Sequence, residues 1–142
     1  MNEEKCIVIN DWKEDIEKKL AYDREKQYFQ PHLGSSQISD VKDEVGMGHL
    51  AVYFSLGQDA KEVSYKGVIT EFYYDVIPQH IKEYFEKAKK HNEFEKDKKV
   101  IAVEELRELP QPIKFSKFIK VSDNKPIIAL RRSTICFKPK EE

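Results

Sequence analysis

The chain has 142 residues, 36% of them charged, and a formal net charge of -1. This length predicts one domain, residues 1–142, large enough to bury a hydrophobic core without disulfides. No apolar run approaches the roughly 18 residues needed to cross a bilayer, and the acidic start of the chain does not have the pattern of a secretory signal. We therefore expect a soluble, cytoplasmic protein that does not contact membranes.

The charges are unevenly distributed along the chain. Residues 110–142 contain eight basic and three acidic side chains, a balance of +5, so the first 109 residues carry -6. A basic segment of this kind produces a local field that can attract phosphate. An ordinary solvated surface is the alternative interpretation.

The polar residues that usually carry catalysis do not cluster in the sequence. The four histidines show no HxH or HExxH spacing, and neither a Gly-rich phosphate loop nor a G-x-S-x-G elbow is present. Cys6 and Cys136 each lie in an apolar, strand-like run, which favours buried free thiols, with a single disulfide as the alternative. We therefore expect no metal site, no cofactor and no enzyme activity, and interpret the chain as a binding domain.

The chain begins with a predicted strand, Lys5–Asn10, that leads directly into a helix. Asp11 and Glu14 have the spacing of a helix cap. Apolar residues then recur on one helical face: Trp12, Ile16 and Leu20. The corner between strand and helix combines polar side chains with free backbone N–H groups, a combination that suits recognition of the flat polar edge of a ligand. Plain capping, with Trp12 in the core, is the alternative.

The next segment, 22–48, is polar and irregular. Its adjacent aromatic residues, Tyr28 and Phe29, precede Pro31, and we predict that they lie in a loop. There they would either close an edge of the core or form one wall of a stacking site. A short helix is predicted over Ile38–Val45.

A β-hairpin is predicted at the centre of the fold. Leu50–Leu56 is an almost unbroken apolar run, and Val63–Phe72 is rich in β-branched residues, with a Gly-Gln-Asp turn between them. In a small barrel, the ends of these strands would open into a pocket. Its rim would consist of Ser55, Leu56, Gly57, Phe72, Tyr73 and Tyr74.

The remaining elements alternate between helix and strand. An apolar stripe that begins at Ile81, after Pro78, predicts a helix. Val100–Leu109 fits either a helix or a strand, and we assign it as a strand that ends at Pro110, in part from the resemblance described below. A helical turn, a β-turn and two short strands follow: Phe115–Ile119, Asp123–Pro126, Ile127–Leu130 and Thr134–Phe137. The expected fold is α+β, a small curled β-barrel of five to six strands with three to four flanking helices.

This order of elements resembles that of the EVE and YTH domains of the PUA-like superfamily. CIVINDWKEDIEKKLAY is similar to the first strand and helix of a YTH domain, and VYFSLG followed by YKGVITEF resembles its paired strands. LRELPQPIKFSKF and DNKPIIALRRSTICFKP resemble the closing segments of both kinds of domain. The resemblance covers nearly the whole chain. Chains of this kind also resemble the N-terminal specificity domains of McrB-type, modification-dependent restriction systems.

The resemblance implies binding of a methylated nucleobase in DNA, flipped into an aromatic pocket. The domain would be the specificity module of a restriction system and would work with an AAA+ motor and a nuclease subunit. N6-methyladenine is favoured over a 5-substituted cytosine, because the YTH-like segments match better. The alternatives are a reader of modified RNA and a protein-interaction domain without base recognition. A hydrolase of the ASCH type would need a G-x-K-x-x-E motif, which the first 35 residues lack.

The resemblance also assigns roles to individual residues. The base edge would be bordered by Asn10, Asp11 and Trp12. One wall would be Tyr28 or Phe29, and the other Phe72, Tyr73 or Tyr74, above a floor of Ser55 and Leu56. Phosphates would be bound by Lys125, Arg131 and Arg132. A YTH cage is built from tryptophans at two loop positions, whereas the single tryptophan of this chain lies at the first strand-helix corner.

Overall fold

The structure is a computed structural model, and it describes residues 4–48, 50–57, 59–88, 99–130 and 133–139. Its elements in chain order are β1 (Lys5–Asp11), α1 (Lys13–Tyr22), β2 (Lys26–Phe29), α2 (Ser35–Gly46), β3 (Leu50–Leu56), β4 (Glu62–Tyr73), α3 (Gln79–Ala88), β5 (Val100–Lys114), a 3₁₀-helix (Phe115–Lys117), β6 (Ile119–Lys120) and β7 (Thr134–Phe137). The α+β class predicted from the sequence is confirmed. In the described parts of the chain, no helix is long and apolar enough to span a membrane.

The strands form one sheet in the order β2-β5-β4-β3-β1-β7-β6. β1 and β3 are parallel, and the other neighbours are antiparallel. Within the described residues the sheet therefore has seven strands against the five to six expected: β2 and β6 were not predicted, and the strand predicted at Ile127–Leu130 does not form. Within the described residues, no pairing joins these two edges, so the strands do not form a closed hydrogen-bonded ring.

The sheet is nevertheless strongly curled. In a flat sheet, β2 and β3 would lie about 14 Å apart, since they are three strand spacings from each other. The ring centroids of Phe29 on β2 and Phe54 on β3 are only 4.7 Å apart. The concave face is filled by a core cluster that includes Ile16 from α1 and Val41 from α2. The two helices thus close the inside of the curl.

Two separate segments pack on the convex face of the sheet. The segment that follows β5 packs Phe115, Phe118 and Ile127 over β1, β3 and β7. Helix α3 covers β2 and β5 with the apolar stripe predicted from the sequence: Ile81, Tyr84, Phe85 and Ala88. The central strands are therefore buried on both sides, which explains the unbroken apolar run of β3.

Four local predictions were wrong. Tyr28 and Phe29 lie in the edge strand β2 and not in a loop. Strand β5 continues through Pro110 and on to Lys114, because a register shift removes the proline-containing stretch from the ladder with β4. The segment Ile127–Leu130 makes no strand. The cap of helix α1 was expected at Asp11, whereas the N-cap residue is Trp12, which makes no side-chain capping bond.

Candidate functional site

The parallel pairing of β1 with β3 brings the ends of both strands together. In this register Asn10 lies beside Ser55 and Asp11 lies beside Leu56. The N–H of Gly57 donates to the carbonyl oxygen of Asp11 at 3.0 Å, and Gly57 turns the chain away with a φ of 82°. We call this group the strand-end corner; its members are Asn10, Asp11, Trp12, Ser55 and Leu56. Sequence reasoning predicted that these five residues are neighbours.

A buried hydroxyl group fixes the Asn10 side chain. Ser55 is fully buried, and its Oγ donates a hydrogen bond of 2.9 Å to Oδ1 of Asn10. Asn10 itself is exposed. Because its amide oxygen is held by Ser55, the amide orientation is defined, and no described residue accepts from its two N–H donors, which can bind an acceptor from solution.

The backbone around Trp12 is held on both sides. Its N–H donates to Oδ1 of Asp11 at 2.7 Å. Its carbonyl oxygen accepts from the N–H groups of Asp15 and Ile16, both at 3.1 Å. The indole ring remains 43% exposed, so the alternative that placed Trp12 in the core was wrong. The result is an exposed aromatic residue on a backbone held by hydrogen bonds, two residues after an oriented amide.

Two further segments lie at the same end of the sheet. The antiparallel register of β1 with β7 places Thr134 beside Val8, so β7 begins close to the corner end of β1. The side chain of Gln37, in the first turn of α2, donates to the carbonyl oxygen of Ser133 at 2.6 Å. The start of α2 is therefore near this end as well.

The candidate phosphate ligands are only partly placed by the structure. Lys125 is exposed and flanks the turn after β6, where its N–H donates to Asp123. The neighbouring Lys120 ammonium lies 3.1 Å from the Asp123 carboxylate, and this hydrogen bond lowers the pKa of Asp123. Arg131 and Arg132 lie outside the described residues.

The other predicted base-binding residues lie on β2 and at the end of β4, away from the corner in the strand register. Phe29 pairs with Ile101, which pairs in turn with Phe72. Ser55 of the corner pairs with Val63, and Phe72 lies nine residues further along β4. We call this second group the aromatic end; its members are Tyr28, Phe29, Phe72, Tyr73 and Tyr74. Along the strands the predicted residues thus form two groups, while the curl of the sheet brings the Phe29 ring to within 4.7 Å of Phe54, the residue before Ser55.

Tyr28 and Phe29 are packed against the protein's own side chains. Phe29 is 2% exposed; besides Phe54, it contacts the ammonium of the buried Lys19, whose Nζ lies 3.8 Å from the ring centroid. Tyr28 is also buried and packs against Tyr84 of α3, with ring centroids 5.0 Å apart. Both rings are core residues, which is the first of the two roles considered for them.

A polar network holds Tyr73. Its hydroxyl group donates to Oε2 of Glu71 at 2.7 Å, while the ammonium of Lys26 bonds to Oε1 at 2.7 Å. The bond from Lys26, with a smaller contribution from Tyr73, lowers the pKa of Glu71. Burial and the bond to Glu71 raise the pKa of the Tyr73 hydroxyl group. Tyr73 is thus tied into the sheet by its polar end.

Tyr74 is the most open ring of the aromatic end. It is 39% exposed, and its ring centroid lies 5.5 Å from that of Phe72. Lys42 of α2 places its Nζ 4.6 Å from the Tyr74 centroid. Sequence reasoning missed Lys42, because it lies on the polar surface of a short helix far from Tyr74 in the chain. In the residues that the structure describes, no group of three or more His, Cys, Asp or Glu side chains is arranged to hold a metal ion.

Comparison with solved structures finds four similar chains, among them an McrB domain and an ASCH protein. No protein-family model matches the chain, and no curated protein matches it. The N-terminal domain of McrB from Staphylothermus marinus is 13% identical, with a TM-score of 0.40 over 81% of each chain. A mutant ASCH protein from Zymomonas mobilis is 14% identical, with a TM-score of 0.39 over 99% of this chain and 92% of that one. Overlaps this loose carry no argument about function.

Proposed function

We propose that this chain is a nucleic-acid-binding domain that holds one unpaired base at the strand-end corner. The observation that carries the proposal is the combination of the exposed Trp12 with the Asn10 amide, two residues before it, whose orientation Ser55 fixes. Stacking of a base on an aromatic side chain contributes roughly 1–3 kcal/mol. An amide beside the stacked ring adds hydrogen bonds to the edge of the same base.

The donor chemistry of the corner defines which edges it prefers. With Oδ1 of Asn10 already accepting from Ser55, the two N–H donors of the amide are its main contribution to a ligand. They match the ring nitrogens and carbonyl oxygens of a base edge. Such an edge is accessible in a single strand, or in a duplex after the base has been flipped out, at a cost of a few kcal/mol.

The finer part of the proposal concerns the base itself. The resemblance of the sequence to EVE and YTH domains supports a methylated base in DNA, with N6-methyladenine ahead of a 5-substituted cytosine. The half-buried Leu56 beside Asp11 offers an apolar contact to a methyl group. The domain would then select modified DNA for a restriction system whose motor and nuclease are separate subunits.

The other predicted residues take secondary roles in this proposal. Lys125, with Arg131 and Arg132, contributes positive charge for the phosphates. Tyr74, backed by Phe72 and Lys42, offers a second stacking surface at the far end of β4, and Tyr73 supports that strand end through Glu71. Tyr28 and Phe29 act as core residues.

The test is a binding panel with Trp12→Ala and a matched control, Tyr22→Ala. Tyr22 is also an exposed aromatic residue of the α1 region, 50% exposed, but at the other end of the helix. Fluorescence anisotropy with labelled DNA and RNA oligonucleotides, carrying N6-methyladenine, 5-methylcytosine, 5-hydroxymethylcytosine or no mark, measures the affinity of each. We expect Trp12→Ala to lower affinity about tenfold for the preferred oligonucleotide and Tyr22→Ala to leave it unchanged. Equal effects of the two substitutions would refute the corner as the binding site.

A second variant separates phosphate contacts from base contacts. Lys125→Ala removes one positive charge from the exposed turn, so it should weaken binding of all oligonucleotides alike and reduce the slope of log K against log salt by about 1. A change in the preference for one base over another would show instead that Lys125 contacts the base.

A further inference from the structure

The only two cysteines of the chain face each other across neighbouring strands. Cys6 of β1 and Cys136 of β7 are direct partners in the antiparallel register, and both are completely buried in the same cluster. Directly opposite residues in an antiparallel pair have side chains on the same face and Cα atoms about 4.5–5.5 Å apart. This separation falls within the range of about 4.4–6.8 Å that a disulfide spans.

The thiol of Cys6 also lies against β7. Its Sγ contacts the carbonyl oxygen of Phe137, the residue that follows Cys136, at 3.8 Å. Both cysteines are free thiols in this structure. The register and the direction of the Cys6 side chain therefore bring two reduced sulfur atoms together between the first and last strands of the sheet.

We propose that Cys6 and Cys136 form a reversible disulfide that ties β1 to β7 when the protein meets a low-molecular-weight disulfide as oxidant. In the first step, one cysteine loses its proton and its thiolate attacks the oxidant, which gives a mixed disulfide and releases one reduced thiol. The second cysteine then attacks the mixed disulfide and releases the second reduced thiol. The protein loses two hydrogen atoms, and the oxidant gains them.

The surroundings make this reaction slow in the closed structure. Burial raises the pKa of Cys136 to about 12 and that of Cys6 further, although Lys138 and Lys66 act in the opposite direction on Cys6 and Lys120 does so on Cys136. Thiolate is therefore scarce until the pair is exposed to solvent.

Exposure requires only a local opening at one edge of the sheet. The cover over the pair is the segment with Phe115, Phe118 and Ile127, and the strands beside it are short, with two residues in β6 and four in β7. Short edge strands belong to the part of a fold that opens most easily. The disulfide, once formed, would hold this edge of the sheet closed. It would link the first strand of the sheet, β1, to the last, β7. This inference does not depend on the proposed function.

The experiment uses the wild-type protein incubated with oxidised glutathione, then unfolded, alkylated and mapped by peptide mass spectrometry without reduction. We expect one intramolecular cross-link between the peptides of Cys6 and Cys136, and a Tm raised by roughly 10 °C, because the cross-link closes a very long loop. Dithiothreitol should reverse both changes.

A matched variant completes the test. In Cys136→Ala, the same oxidant should leave Tm unchanged. Two alkylated cysteines in the oxidised wild-type protein, glutathione on single cysteines, or cross-links between two chains would each overturn the proposal. The peptide map of the wild-type protein decides the question even if the variant fails to fold.

Discussion

The strand-end corner and the aromatic end contain similar residues but differ in what surrounds them. At the corner, Trp12 is exposed on a rigid backbone and Ser55 orients the Asn10 amide outward. At the aromatic end, Phe29 packs on Phe54 and Lys19, and Tyr73 is bound to Glu71. Adjacent aromatic residues in a sequence therefore indicate a core as readily as a ligand site. An exposed ring beside a fixed polar group is the more informative sign of a binding surface.

The first and largest expected difference between the two regions is in stability. Phe29→Ala removes a ring that is packed inside the curl, so we expect a loss of about 3–5 kcal/mol in the free energy of unfolding. Trp12→Ala removes a side chain that is 43% exposed, so we expect a clearly smaller loss, of about 1 kcal/mol. Urea denaturation of both variants measures these values. Similar losses would erase the distinction between a core region and a binding region.

The second prediction concerns the hydrogen bond that orients the corner. Ser55→Ala leaves the Asn10 amide without its fixed donor, and we expect a loss of about 1 kcal/mol in stability. Because the amide is then free to rotate, affinity for the preferred oligonucleotide should also fall. A double-mutant cycle with Asn10→Ala isolates the coupling between the two residues. Strictly additive effects would show that the bond does not orient the site.

The third prediction compares two tyrosine hydroxyl groups near the aromatic end. Tyr73→Phe removes the donor to Glu71 and should cost about 0.5–1 kcal/mol. The hydroxyl group of Tyr84 is buried and makes no hydrogen bond of good geometry in the described residues; burial raises its pKa, and only the nearby backbone of Tyr28 acts in the opposite direction. Tyr84→Phe should therefore be neutral or stabilising by thermal denaturation. A loss in Tyr84→Phe as large as in Tyr73→Phe would indicate a partner that this structure does not contain.

The smallest prediction is the pH dependence of the Glu71 network. The folded protein holds the pKa of Glu71 below its unfolded value through the bond from Lys26, so the network stabilises the fold above the unfolded pKa, near 4.5. That contribution is lost as the pH falls through the lower, folded pKa. The side chains are partly exposed, so only a few tenths of a kcal/mol are expected. Glu71→Gln should flatten the stability curve as the pH falls below about 4.5; an unchanged curve would contradict the assignment.

The sequence predicted the elements whose signals are local. Strands β3 and β4 are long and rich in apolar or β-branched residues. The four-residue spacing of Ile16 and Leu20 indicates a helix from the sequence alone, without knowledge of what the helix packs against. The edge strand β2 has only four residues, and it forms because β5, more than seventy residues later, pairs with it. Pro110 does not end β5 because a register shift takes it out of the ladder. Both features depend on contacts that no short window of sequence contains.

The candidate site was predictable in part for the same reason. The resemblance to YTH domains placed Asn10 and Ser55 together, and in the structure the parallel pairing of β1 with β3 makes them neighbours. The opposite directions of β3 and β4, however, carry Phe72 away from Ser55 along the full length of the strand. This separation along the strands depends on the antiparallel register of β3 with β4, which no short stretch of sequence contains.

The most direct test of the corner uses the single tryptophan of the chain as its own reporter. Because Trp12 is the only tryptophan, emission excited at the indole band comes from the proposed stacking surface alone. Titration with the preferred oligonucleotide should quench this emission in a saturable way, with the same Kd as anisotropy of the labelled oligonucleotide. Binding seen by anisotropy with no change in tryptophan emission would contradict the account and place the nucleic acid elsewhere on the molecule.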